Sequence, residues 1–152
     1  MDDPCRDAGN HRVSNMNDCI FCKILKGEIP STRVYEDDAA IAFMDIFPFA
    51  KGHVLVIPRL HVATLPDLPR DALVGLMAAV QKVSRFVMAG LPCDGFNLAQ
   101  NNGACSGQTV HHVHFHIVPR HEGVEVEWFA HKNLYAPGEM EEIAARIRGV
   151  RC

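Results

Sequence analysis

His112-Val113-His114-Phe115-His116-Ile117-Val118 places three imidazoles at every second position of an apolar run. Strand side chains alternate between two faces, so the pattern predicts one histidine face and one apolar face. Buried imidazoles without hydrogen-bond partners are costly, which makes a purely structural role for three of them a poor explanation. The run therefore indicates a functional site on a β-strand.

Four interpretations of the histidines are open: a structural role, a catalytic zinc held by all three, phosphate chemistry with an attacking imidazole, or a metal at one end with catalysis at the centre. The loop that precedes the histidines favours the third interpretation, phosphate chemistry. Gly103 and Gly107 let the backbone approach an anion, and Gln108 and Thr109 supply neutral hydrogen bonds.

Composition excludes several classes of protein. The chain has 152 residues, of which 48% are hydrophobic, enough for one core. A formal net charge of −3 gives no basic footprint, so polymeric nucleic acid is not an expected partner. No apolar run approaches the ~20 residues of a membrane span, and the N-terminus lacks the apolar centre of a signal peptide. We therefore expect a cytoplasmic protein with reduced cysteines and no membrane partner.

The pattern along the chain predicts an α+β fold with an antiparallel sheet. Residues 1–18 are polar and predict a flexible extension, followed by one domain over residues 19–152. Apolar residues at helical spacing predict a short helix capped by Asp18 and one long helix. The predicted helices are Cys19–Lys26, Asp67–Gly90 and Glu139–Arg148, the last within a helical tail over 137–152, and the predicted strands are Arg33–Glu36, Ala39–Met44, His53–Ile57, Phe96–Ala99 and Val110–Val118.

The segment from Gly107 to Val118 resembles the signature of the histidine triad nucleotide-binding hydrolases and transferases, and the resemblance extends over roughly Cys19 to Arg120. It implies a five-stranded antiparallel sheet with the long helix packed on it and the short helix beside a base pocket. It also implies a homodimer with a continuous sheet, built from the long helix and the strand before the triad.

The resemblance implies a two-step displacement. His114 would attack the α-phosphorus of a nucleotide, and water would then hydrolyse the nucleotidyl-histidine. His116 would contact phosphate oxygens, the His112 carbonyl would hold the other ring nitrogen of the nucleophile, and His53 would orient the catalytic imidazole from behind. The implied nucleotide-binding residues are Ile20, Phe21, Ile24, Phe43 and Ile46 around a purine, Asp45 at the ribose hydroxyls, and Asn101, Gly107, Gln108 and Thr109 near the phosphate.

Cys19 and Cys22 form a C-x-x-C pair, a spacing that can present two thiolates to one metal. Small buried cysteines and a redox pair are the alternatives. Bacterial members of the family that resemble this chain carry a Cys-Cys-His-His zinc, and His61 and His112 occupy the matching positions. The resemblance thus implies a structural zinc, bound by these four residues, and a catalytic step that needs no cofactor.

The leading functional hypothesis is hydrolysis of purine nucleoside phosphoramidates or related adenylyl conjugates to AMP through His114. A dinucleoside polyphosphate hydrolase would use the same residues on a longer anion. A nucleotide-binding regulatory module with incidental turnover and a zinc-stabilised interaction protein are rivals from other classes. The segment Glu122–Pro137, with Trp128 and His131, is expected to shape the leaving-group side.

Overall fold

The computed structural model describes residues 16–128 and 134–150, and one five-stranded sheet organises them. The sheet has the order β1-β2-β3-β5-β4, and every neighbouring pair is antiparallel, which confirms the predicted fold class. The strands are β1 (Arg33–Glu36), β2 (Ala40–Met44), β3 (Val54–Pro58), β4 (Gly95–Gln100) and β5 (Phe115–Arg120).

The triad strand begins later than its alternating pattern predicts. The prediction was Val110–Val118, whereas β5 begins at Phe115, which pairs with Val56 of β3. Two residues further along β3 stands Pro58, which has no amide hydrogen to continue the ladder. The amide of Val113 donates instead to the carbonyl of Val62 at 2.8 Å, so the chain before Phe115 lies outside the sheet ladder.

Three α-helices cover the sheet: α1 (Ile20–Leu25), α2 (Arg70–Gly90) and α3 (Glu139–Arg148). The terminal helix agrees with its prediction at both ends, whereas α2 starts three residues late. Leu65–Asp67 form a separate 3-10 turn, and Leu68 is extended because it precedes a proline. The predicted cap of α1 is also wrong, since Cys19 occupies the N-cap position and no side chain caps the helix.

The two faces of the sheet pack against different helices. Helices α2 and α3 pack with Val113, Phe115 and Ile117 in the main core. On the opposite face, α1 packs against a second buried cluster that includes Leu55, the β3 residue paired with His116. The predicted alternation of apolar and histidine faces is therefore confirmed, and the histidines lie on the α1 side.

Helix α2 is long and apolar enough to cross a membrane by length and composition alone. Its buried face, which includes Leu76, Val80 and Val83, packs on the sheet as a core helix. On its other face Met77 and Met88 are exposed, beside Phe96 and Leu98 of β4. We call these four residues the α2–β4 surface. It adjoins β4, an edge strand that pairs only with β5 among the residues that the structure describes.

The predicted N-terminal extension lies mostly outside the described residues, as does His131 of the segment expected to shape the leaving-group side.

Candidate functional site

A cavity of about 300 Å³ opens on the α1 face of the sheet. Its apolar end is formed by α1, β2 and the loop that follows β2, and its polar end by the loop before β5. All five residues predicted to surround a purine lie on its wall. The predicted nucleotide-site residues that line it are Ile20, Phe21, Ile24, Phe43, Asp45, Ile46, Asn101, Gly107, Thr109, His114 and His116.

His114 lies at the polar end of the cavity, and one hydrogen bond fixes its tautomer. Its Nδ1–H donates to the carbonyl oxygen of His112 at 2.7 Å, the contact that the family resemblance implies. The lone pair is therefore on Nε2. Burial lowers the pKa of His114, so the ring is neutral near pH 7. The edge-to-face ring of Phe21, 5.2 Å away between centroids, supports it from α1.

His53 bonds a different histidine from the one expected. It was predicted to orient the catalytic imidazole, but its Nε2 lies 3.0 Å from Nδ1 of His116 and is bonded there. Phe49 stacks on both rings, with centroids 4.9 Å from His53 and 5.7 Å from His116. Trp128 packs edge-on against Phe49 at 5.4 Å. No pattern in the sequence singled out Phe49, because the fold brings His116 and Trp128 to it from distant parts of the chain.

The proton positions in this pair follow from the backbone. The amide of Phe49 can only donate, and it points at Nδ1 of His53 at 3.3 Å, so the His53 proton is on Nε2. That proton is donated to Nδ1 of His116, which puts the His116 proton on Nε2. Within the described residues this buried Nε2 has no hydrogen-bond partner, and His116 lines the cavity. A donor therefore faces the polar end.

Burial, with the neighbouring His114, lowers the pKa of His116 to about 4, so this donor is a neutral imidazole at neutral pH.

Asp45 brings a carboxylate to the cavity wall beside these rings. Its Oδ1 accepts the amide of Phe47 at 2.9 Å, and Oδ2 lies 3.4 Å from Nδ1 of His53, longer than a normal hydrogen bond. The Phe47 contact caps the turn after β2 and fixes the orientation of the carboxylate. Oδ2 remains an acceptor suited to a hydroxyl of a ligand.

Residues 101–109, which we call the glycine loop, form the polar end of the cavity. Gly103 and Gly107 have φ values of +83° and +89°, a region that favours glycine. Gln108, which was predicted to contact the phosphate, is not among the residues that line the cavity. Its Nε2 donates to the Ala63 carbonyl at 2.6 Å and to the Val110 carbonyl at 3.1 Å, while Oε1 accepts the amide of Gly103 at 2.7 Å.

A second constellation lies beside the triad. The ligand atoms of Cys19, Cys22, His61 and His112 all lie within 4.8 Å of one another. Nδ1 of His61 is 3.3 Å from Nδ1 of His112 and 3.3 Å from Sγ of Cys22. Sγ of Cys19 and of Cys22 lie 3.6 Å and 3.7 Å from Nδ1 of His112. Zinc bonds of about 2.3 Å to sulfur and 2.0–2.1 Å to nitrogen give tetrahedral edges of about 3.3–3.8 Å. The four residues fit that polyhedron.

Protonation at this centre also suits a metal. Nε2–H of His112 donates to the carbonyl of Pro58 at 2.9 Å, which leaves the Nδ1 lone pair directed at the cluster. Burial lowers the pKa of His112 to about 4 and, with the neighbouring Cys19, raises the pKa of Cys22 to about 11. A divalent cation would supply the positive charge that favours the thiolate. Among the residues that the structure describes, no disulfide joins Cys19, Cys22, Cys93 and Cys105 to one another.

Known proteins are similar to this chain in sequence. The adenylylsulfatase of Arabidopsis thaliana is 42% identical over 118 residues, which cover 76% of this chain and 60% of that protein. The adenosine 5′-monophosphoramidase of Saccharomyces cerevisiae is 38% identical over 136 residues, 86% of this chain and 84% of the relative.

Two solved structures share the fold. A Hit-like protein from Bartonella henselae is 45% identical with a TM-score of 0.81, covering 87% of this chain and 95% of that one. A Zn-bound histidine triad family protein from Mycobacterium smegmatis is 37% identical with a TM-score of 0.77, covering 88% and 93%. Residues 26–123 of this chain match the HIT domain family model. The chain belongs to the HIT, or histidine triad, family.

Proposed function

We propose that this protein hydrolyses purine nucleoside phosphoramidates or related adenylyl conjugates to AMP through a nucleotidyl-His114 intermediate. The observation that carries the proposal is the 2.7 Å hydrogen bond from His114 Nδ1 to the His112 carbonyl, which leaves the Nε2 lone pair at the polar end of an apolar cavity. Two relatives, by their names, act on adenylyl sulfate and on adenosine 5′-monophosphoramide, and their identity to this chain supports the same substrate class.

In the first step, Nε2 of His114 attacks the α-phosphorus and forms a P–N bond while the bond from phosphorus to the leaving group breaks. Nε2–H of His116 is placed to donate to a phosphate oxygen or to the departing atom. The nitrogen of a phosphoramidate leaves as an amine and takes up a proton from solvent. Because Nδ1 of His114 keeps its proton, the carbonyl of His112 stabilises the positive charge that develops on the ring.

In the second step, water attacks the same phosphorus and loses a proton to solvent, while the bond from phosphorus to His114 Nε2 breaks. The ring regains its lone pair and AMP leaves. Asp45 lines the cavity beside the histidine rings, and its carboxylate would accept hydrogen bonds from the ribose hydroxyls. The purine would lie among Ile20, Phe21, Ile24, Phe43 and Ile46. No step requires a cofactor.

We further propose that Cys19, Cys22, His61 and His112 hold one structural zinc. The support is the match of their ligand-atom separations to a tetrahedron and the Zn-bound relative from M. smegmatis. The ion would link α1 to the chain that leads into β5. Metal analysis of protein purified without chelator should give close to one zinc per chain, and Cys19→Ala should lower that content. Substoichiometric zinc that is unchanged in Cys19→Ala would contradict the assignment.

The activity is tested with adenosine 5′-phosphoramidate. We expect AMP release by the wild type and a mass increase of one AMP on protein quenched during turnover. His114→Ala should lose several orders of magnitude in kcat while it still binds AMP, because the nucleophile makes its bond only during the reaction. A regulatory module would tolerate this change. His114→Asn with a near-normal rate, or no adenylated protein in any quench, would overturn the mechanism.

Comparison of kcat/KM for adenosine 5′-phosphoramidate and for diadenosine polyphosphates distinguishes the two substrate classes. Within the described residues, the cavity wall contains no lysine or arginine, whereas a longer polyphosphate would bring additional negative charge. We therefore expect a higher kcat/KM for the phosphoramidate. The reverse order would favour the dinucleoside polyphosphate hydrolase.

A further inference from the structure

We propose that Gln108 and Asn102 are positioning residues that couple metal occupancy to nucleotide binding. The inference rests on the proposed nucleotide site and zinc centre and adds a link between them. The link is residues 61–65, which we call the bridging segment. Its first residue, His61, belongs to the proposed metal centre, and the backbone groups of Ala63 and Leu65 form hydrogen bonds with the glycine loop.

The bridging segment begins at the metal centre. Its first residue, His61, is half-buried and contributes Nδ1, 3.3 Å from both Cys22 Sγ and His112 Nδ1. A bound ion would bond this ring directly. Without the ion, the ring keeps a thiol or another imidazole as its partner, and a thiol is a weak hydrogen-bonding group. Metal binding therefore restrains the start of the segment more tightly than the residues alone do.

Two side chains of the glycine loop hold the segment beyond His61. Gln108 Nε2 donates to the carbonyl of Ala63 at 2.6 Å, and Asn102 Oδ1 accepts the amide of Leu65 at 2.8 Å. Gln108 is 4% exposed, so its hydrogen bond to Ala63 forms where unpaired groups are costly, whereas the hydrogen bond between Asn102 and Leu65 lies at the exposed side of the loop. A shift of the bridging segment must therefore move the loop that contains the cavity residues Asn101, Gly107 and Thr109, or break these bonds.

Gln108 also sets the shape of the loop itself. Its Oε1 accepts the amide of Gly103 at 2.7 Å, and the amide of Gln108 donates to the carbonyl of Gly103 at 3.2 Å. One buried side chain thus closes the loop and attaches it to the bridging segment. Because the side-chain amide of Gln108 makes both sets of hydrogen bonds, it is directed away from the cavity.

The consequence is a measurable coupling between two sites. If metal favours the loop geometry that binds the α-phosphate, AMP must favour metal binding by the same factor, because coupling free energies are reciprocal. We expect a factor on the order of tenfold, within the usual 5–150-fold range. Calorimetry gives the Kd of AMP for zinc-loaded and metal-free protein. Competition with a chromophoric chelator gives the zinc affinity with and without saturating AMP, and neither measurement requires turnover.

Gln108→Leu removes the link while keeping side-chain size. The coupling factor of this variant should fall close to one. Thr109→Val, on the cavity wall, is the matched control. Thr109→Val should weaken AMP binding equally in loaded and metal-free protein and leave the factor unchanged. If Gln108→Leu does not fold by circular dichroism, Asn102→Ala takes its place, because it breaks the bond to Leu65 at the exposed side of the loop.

Should the metal-free protein be unfolded, the rate of zinc release to chelator from loaded protein replaces the affinity. At equal AMP occupancy, AMP should slow zinc release by up to about tenfold in wild type and in Thr109→Val, because affinity differences lie mostly in the dissociation rate. It should not slow release in Gln108→Leu. A factor of one in the wild type, equal factors in wild type and Gln108→Leu, or failure to bind zinc overturns the coupling and leaves the proposed hydrolase intact. Failure to bind AMP overturns both, and coupling without phosphoramidate turnover overturns only the hydrolase.

Discussion

The backbone and the side chain of His112 serve different purposes. Its carbonyl accepts the His114 proton, and its Nδ1 faces two cysteines and His61. The alternating pattern was sufficient to predict that the histidines share a face. It could not predict that His112 precedes the strand or that His53 bonds His116, because both depend on long-range pairing. The contact from Gln108 to the bridging segment could not be predicted either, since its partner there is a backbone carbonyl.

His53→Gln tests the histidine pair at the scale of one residue. Loss of the 3.0 Å bond should free His116 to rotate and to change tautomer. A misplacement of about 1 Å can cost about 10²-fold in rate, so we expect kcat on adenosine 5′-phosphoramidate to fall by about that factor with KM nearly unchanged. His121→Gln, an exposed histidine, is the control and should retain the wild-type kcat. A fall in stability with kcat intact would instead assign His53 a structural role.

Secondary-structure elements were predicted best where the spacing of apolar residues follows a single helical or strand period. The position of α3 was predicted at both ends, and the strands were predicted within a few residues, except at the start of β5. The misplaced boundaries lie beside prolines: Pro58 opposite the missing part of the triad strand, and Pro66 and Pro69 before α2. A proline removes a backbone donor and restricts its neighbour, so its effect depends on which strand or turn it faces.

The packing of α3 on α2 gives a prediction at the scale of elements. A Cβ added at Gly90 would lie 2.8 Å from the carbonyl oxygen of Arg146, a backbone atom that cannot move aside alone. Gly90→Ala should therefore lower the free energy of unfolding by about 1–3 kcal/mol, the usual cost of overpacking. Chemical denaturation measures it. Gly95→Ala is the matched control, because nothing lies within 4 Å of its added Cβ. Equal stability of both variants would show that the helices separate readily.

At the scale of the whole molecule, the two edges of the sheet differ. The β1 edge is near α3, whose Arg148 donates to the carbonyl of Arg33 at 2.6 Å. The β4 edge adjoins the exposed α2–β4 surface. An uncovered strand edge beside an apolar patch suits pairing with a second copy of the chain. The family resemblance implied a homodimer built from these two elements, and we propose that interface.

Leu98→Lys should convert the dimer to a monomer, because it places a charge in the centre of the proposed interface. Light scattering after size exclusion would show a halved mass. Val124→Lys is the control, since Val124 is also exposed but is not part of the α2–β4 surface. Wild-type protein that runs as a monomer at micromolar concentration, or Leu98→Lys that stays dimeric, would contradict this arrangement.

The rim of the cavity is apolar, and its residues Ile20, Ile46 and Phe47 are between 44% and 61% exposed. An environment-sensitive dye should consequently brighten in the empty pocket and dim when a nucleotide displaces it. Such a readout needs no knowledge of the natural substrate. It could rank collections of AMP conjugates by affinity, and so lead from the pocket to the group that the enzyme releases.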